Sequence, residues 1–166
     1  SVWKDVIELI CEITGLPYER NEESMRIIAD HLRTAVFISA DKSGIKPSNT
    51  DQGYILRRLI RRAIRHARKL GLENNSNWEE QIALLIIEKY APYYDELTEN
   101  KNVVLEVLKN EKTKFERTLG KGLKEFEKVS TQDLDGQTAF RLFDTYGFPI
   151  ELTVELAEEK GLKVDV

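Results

Sequence analysis

Six arginines and one lysine, Arg57, Arg58, Arg61, Arg62, Arg65, Arg68 and Lys69, fall in one short window that holds no acidic residue. A guanidinium forks two N–H groups onto one phosphate, so a row of them suits a polyanion. The row is helical by its spacing: Leu56, Leu59, Ile60, Ala63, Ala67 and Leu70 recur at three- and four-residue steps, which assigns one face to a core and leaves arginine on both flanks. These seven belong to 25 basic residues in all, so 18 remain elsewhere against 29 acidic ones. The positive charge is therefore focused. Each phosphate it met would weaken binding with salt, with a slope of about −0.9 per contact for B-form DNA. The opposing reading is that these arginines pair with the acidic excess of their own fold, as mixed charges on a solvated helix commonly do.

Other chemistry is sparse. One cysteine and two histidines, Cys11, His31 and His66, fall short of the four ligands of a closed zinc site, so no metal and no catalytic residue is expected. Cys11 has no partner for an internal disulfide and lies on the amphipathic stretch Val6, Ile7, Leu9, Ile10, Ile13, where it reads as a small buried hydrophobe.

The elements that must position the basic row are all helical, because apolar residues recur at helical steps and no segment alternates as a strand does. The fold class is all-α, about seven helices in two packed subdomains, residues 1–92 and 93–166. A first helix, 3–14, ends at Gly15, Leu16, Pro17. A second, about 22–40, starts after Asn21 as N-cap, with Glu22 and Glu23 set against the helix dipole. Residues 41–50, DKSGIKPSNT, read as the loop into the basic helix at about 51–71, and loops carry function more often than cores do. After the polar residues ENNSN comes a helix at about 78–90, stopped by Pro92. Residues 96–129 form one long helix or two collinear ones, with Val104, Leu108, Phe115, Leu119 and Phe126 inward and Gly120 and Gly122 weakening the middle. Its dense Lys and Glu content reads as a solvated face. A short helix follows Asp135 and Gly136, stops at Tyr146, Gly147, Phe148, Pro149, and leads to a last one at about 150–160.

Charged residues at 33% and apolar ones at 41% describe a folded chain rather than a disordered one. No run reaches 18 uninterrupted apolar residues and the N-terminus has no signal-peptide pattern, so a cytoplasmic setting without a membrane is expected. The chain opens at Ser1 inside an apolar periodic segment, which suggests a piece of a longer protein.

Three blocks, RIIADHLRTAVF (Arg26 to Phe37), GIKPSNTDQGYILRRLIRRAIRHARKLG (Gly44 to Gly71) and DGQTAFRLFDTYGFPIELT (Asp135 to Thr153), resemble in order and spacing the middle region of alanyl-tRNA synthetases. Residues 72–130 resemble it only in helical character. The resemblance implies a class II synthetase whose middle domain docks on the tRNA acceptor stem and detects a G·U wobble pair, without reading the anticodon. It assigns detection to Asn49, in Pro47-Ser48-Asn49, and to Asp144, in Phe143-Asp144-Thr145-Tyr146-Gly147. A carboxylate accepts from the guanine amine that a wobble pair leaves facing the wide minor groove of RNA, and an amide offers both donor and acceptor.

Both residues also have structural explanations. Asn49 lies just before a helix with Gln52 three positions on, as an N-cap with a capping-box partner would. Asp144 sits at a helix end where an Asp often holds a turn. His31 faces the RNA or, as a helical histidine among apolar neighbours more often does, a packed partner. Tyr146 and Phe148 stack on a terminal base or anchor their turn.

The resemblance places ATP and Mg in a catalytic domain of the same parent chain, built on an antiparallel sheet for which nothing here supplies strands. No cofactor is expected in this stretch, and ligation by it alone is not expected. Its expected partners are the tRNA acceptor stem and that catalytic domain. From a different class, a helical protein–protein adaptor would use the basic helix against an acidic partner and the final acidic helix as a docking surface.

Overall fold

A computed structural model describes residues 1–72 and 76–165. Of the polar segment ENNSN, Glu73, Asn74 and Asn75 lie outside the described residues. Eight helices follow one another among those described: α1 (Val2–Thr14), α2 (Glu22–Ala40), α3 (Asp51–Lys69), α4 (Trp78–Tyr90), α5 (Asp95–Glu99), α6 (Lys101–Val129), α7 (Gly136–Tyr146) and α8 (Ile150–Glu159). The fold is all-α, as the periodicity predicts, and among the described residues the one extended pairing is an isolated bridge between Leu134 and Val164.

The chain forms two compact units, Ser1–Lys112 and Thr113–Val166. Their boundary falls inside α6, whereas the sequence suggested a division near residue 92. An uninterrupted helix carries no composition change or loop to mark such a border.

In the first unit α2 is the central element, packed most extensively on α3 and also against α1, α4 and α5. Its inward face, Met25, Ile28, Leu32, Ala35 and Val36, is fully buried with Leu56, Ile60, Ala63 and Ala67 of α3 and Trp78, Ile82 and Ile86 of α4. Leu85 and Tyr90 are half-buried, and Tyr90 meets Phe37 edge-on at 5.2 Å. Cys11 is also half-buried, its Sγ 3.7 Å from Met25 Sδ, and burial raises its pKa. Gly15 ends α1 in the left-handed conformation, while Asn21 caps no amide and donates instead to the Pro17 carbonyl at 2.9 Å.

The expected long helix breaks at Asn100, not at its glycines: Asn100 ends α5 and its Nδ2 donates to the Ala40 carbonyl at 2.8 Å. Helix α6 then runs through Gly120 and Gly122 without interruption.

The second unit buries Phe115, Leu119, Phe126, Leu142, Phe148 and Leu156 together. Phe148 stands edge-on to Phe115 at 5.8 Å, so this ring of the Tyr146-Gly147-Phe148-Pro149 turn anchors the core. A Cβ on Gly122 would lie 2.5 Å from the Phe148 ring, which makes Gly122 a site of close approach rather than a weak point. Asp135 caps α7 by accepting from the Thr138 amide at 2.8 Å, which lowers its pKa.

Candidate nucleic-acid interface

The loop before α3 is built from short-range bonds. The Ser48 amide donates to the Gly53 carbonyl at 3.0 Å, and Ser48 Oγ donates to the Thr50 carbonyl at 3.0 Å. A Cβ on Gly53 would lie 2.6 Å from the Lys46 carbonyl oxygen, so only glycine lets the loop fold back on the helix. Asp51 enters α3 at φ 52, a left-handed conformation that Asp tolerates better than most residues. This tight geometry fixes where the preceding side chain projects.

That side chain is Asn49, exposed at the tip of the turn. The N-cap position belongs to Thr50, with no side-chain cap bond, so the capping-box reading of Asn49 does not hold. Its Oδ1 instead accepts from Arg57 Nη1 at 2.8 Å. Arg57 in turn donates from Nε to Glu111 Oε2 at 2.8 Å and from Nη2 to Glu111 Oε1 at 3.4 Å. Glu111 also accepts from Arg61 Nε at 3.0 Å, and its side chain is only 2% exposed.

The basic row therefore divides. Arg61 and Arg65 are buried, and His66 behind them is fully buried with its Nδ1 2.9 Å from Ser24 Oγ. The expectation that all seven cations face a phosphate backbone is corrected for these two: the helix turns them toward the core, and for Arg61 the compensating charge is Glu111. Burial also lowers the Arg61 pKa, against the attraction of Glu111 that raises it. Arg57 spends its fork on Glu111 and Asn49. Arg58, Arg62 and Arg68 are half-buried and Lys69 is exposed.

His31 is a packed and paired residue. Its Nε2 lies 3.1 Å from Arg62 Nη1, and its Nδ1 lies 3.4 Å from Asp30 Oδ2. Burial, then the Arg62 charge, lowers its pKa. A guanidinium only donates, so the facing Nε2 is the unprotonated nitrogen.

Asp144 belongs to the second unit, exposed in the last turn of α7. Among the described residues its side chain makes no hydrogen bond or ion pair, so it does not tie the turn. Backbone closes the turn: Gly147, at φ 72, donates to the Phe143 carbonyl at 3.1 Å, and Phe148 donates to the Leu142 carbonyl at 3.2 Å. Tyr146 is half-buried, and its carbonyl accepts from Thr118 Oγ1 at 2.6 Å.

Glu111 and Gly53 were not foreseen. Glu111 sits in a run of Lys and Glu that reads as solvated, and its partners are fifty and fifty-four positions away. Gly53 offered a signal, a glycine inside a helical pattern, that fits either a weak helix or a close contact. Lys112 departs from the solvated-face reading too, buried and 3.0 Å from Glu79.

No group of three or more His, Cys, Asp and Glu among the described residues is arranged to hold a metal ion, and no helix is long and apolar enough to cross a membrane.

A family model described as tRNA synthetases class II (A) matches residues 1–166. Among curated proteins the chain is 41% identical to an alanine–tRNA ligase of Treponema pallidum over 99% of its own length and 29% of that protein's. It is 41% identical to an alanine–tRNA ligase of Thermotoga maritima over 100% of the chain and 19% of the relative. A third, from Borreliella afzelii, is 45% identical over 96% of the chain and 28% of the relative. The chain thus spans less than a third of the length of the relatives it matches. With the whole chain matched, it belongs to the class II tRNA synthetases (A), and within them it is similar to alanine–tRNA ligases.

Proposed function

We propose that this chain is the tRNA-recognition part of an alanine–tRNA ligase, docking on the acceptor stem and reading its G·U wobble pair through Asn49 and Asp144. The observation that carries the reading is Asn49: exposed, released from any capping duty, and attached to the first arginine of the basic helix. Asp144, exposed and unspent, supports the same role. A carboxylate can accept from the guanine amine that a wobble pair leaves in the RNA minor groove, where a Watson–Crick pair would engage that amine with cytosine. Each well-made base contact discriminates by roughly 1–3 kcal/mol.

Affinity comes from the phosphates, through Arg58, Arg62, Arg68 and Lys69. Arg61 and Arg65 hold the helix in place. In the parent ligase, with ATP and Mg in its catalytic domain, correct docking would deliver the terminal adenosine to the reacting centre, and a wrong pair would misplace it. This work belongs to the cytoplasm, where translation takes place.

The test compares retention of an acceptor-stem minihelix carrying the wobble pair, one carrying a Watson–Crick replacement, and a random RNA hairpin across a salt series. Preference for the first at every salt is expected. Asn49→Ala and Asp144→Ala should each remove about fivefold or more of that preference, with little change in Tm. Equal retention of all three RNAs would end the recognition reading.

A further inference from the structure

We infer that Arg57, clamped by Glu111, is a positioning residue that sets the orientation of the Asn49 amide for base reading. The inference rests on the reading of Asn49 as a base contact. An amide on an exposed turn rotates freely unless something holds one end, and here Arg57 Nη1 holds Oδ1 at 2.8 Å. The holder is itself fixed, because Nε and Nη2 of the same guanidinium grip both oxygens of Glu111 at 2.8 and 3.4 Å. Glu111 is 2% exposed and shared with Arg61, so it cannot swing away. The order runs from a buried carboxylate, through a planar fork, to a surface amide.

The chemistry fixes the outcome. A guanidinium has only donors, so the amide oxygen must face it and the NH₂ group must face outward. Asn49 therefore presents donors to the RNA, suited to acceptors such as uracil O2, guanine N3 or a ribose 2′-oxygen. Its oxygen is turned toward Arg57 rather than outward toward the guanine amine. Lysine keeps the charge at position 57 but, as a point cation, cannot grip both oxygens of Glu111 and the amide in one plane. The role thus depends on the fork, not on positive charge, which separates it from a phosphate contact.

The test uses the same wobble and Watson–Crick minihelices with the wild type, Asn49→Ala, Arg57→Lys and the double variant. The readout is the ratio of the two affinities, in which any loss of folded protein cancels. Arg57→Lys is expected to lower the ratio about fivefold or more while leaving affinity for the random hairpin within twofold. In the Asn49→Ala background it should change the ratio no further. As a second readout, the Asn49 side-chain amide in the free protein should be ordered on the nanosecond timescale by ¹⁵N relaxation and become mobile in Arg57→Lys. A wild type without preference overturns the recognition reading and this inference with it. A wild-type preference that Asn49→Ala abolishes and Arg57→Lys leaves intact overturns the inference alone. Equal weakening of all three RNAs by Arg57→Lys would also overturn it, making Arg57 a phosphate contact.

Discussion

Glu111 compensates two guanidinium groups from a buried position, and the consequence is a large stability effect from one atom change. Glu111→Gln keeps the shape but removes the buried charge that Arg57 and Arg61 both face. Breaking a buried pair from one side costs about 3–5 kcal/mol, so the denaturant midpoint should fall accordingly; a loss below about 1 kcal/mol would mean the cluster is solvated after all. His31 makes the second residue-scale prediction. Its folded-state pKa is lowered, by burial first and the Arg62 charge second, so the fold favours the neutral ring. That contribution is fully present above the unfolded value of about 6.5 and is lost as pH falls below it, because the unfolded chain takes up a proton that the folded one resists. Between pH 7 and 5 the Tm of the wild type should therefore drop more steeply than that of His31→Gln, and parallel curves would remove His31 as the cause.

At the scale of elements, two glycines do opposite work from what a helical pattern suggests. Gly122 lies in the middle of α6, and alanine there would gain up to about 1 kcal/mol in helix propensity. Its methyl group would also meet the buried Phe148 ring at 2.5 and 2.6 Å, and overpacking costs typically about 1–3 kcal/mol. The contact wins because Phe148 is fixed against Phe115, so Gly122→Ala should lower stability in chemical denaturation. A stabilised variant would show that the ring yields. Gly53 concerns the loop rather than the core: Gly53→Ala should displace the turn that carries Asn49 and reduce wobble preference more than it reduces Tm. The periodicity made α1 through α4 legible nearly to the residue. It did not reveal the break at Asn100, because the bond that favours it reaches the Ala40 carbonyl, sixty positions away. Nor did it reveal the partner of Asn49, since a residue before a helix looks like a cap until its actual bond to Arg57 is seen.

For the whole molecule, the burial of Arg61 and Arg65 and the engagement of Arg57 with Glu111 and Asn49 limit the row to at most four phosphate contacts, and this sets the salt dependence. With about 0.7–0.9 counterions released per contact, the slope of log affinity against log salt should lie near −3 to −4. A slope near −6 would mean that all seven basic residues meet RNA, contrary to their placement here.

The amino-acid sequence by itself determined the helical class, the inward faces of its helices, the focus of positive charge in α3 and, through three ordered blocks, the family. These are properties of local spacing and composition, which survive without knowing what lies opposite. Tertiary structure alone decided which arginines are buried, which of them face Glu111, and which group the Asn49 amide meets. The physical reason is that a charge or an amide acquires its role from the group it meets, and Glu111 meets Arg57 and Arg61 only because the folded chain brings α6 against α3 across fifty-four and fifty positions.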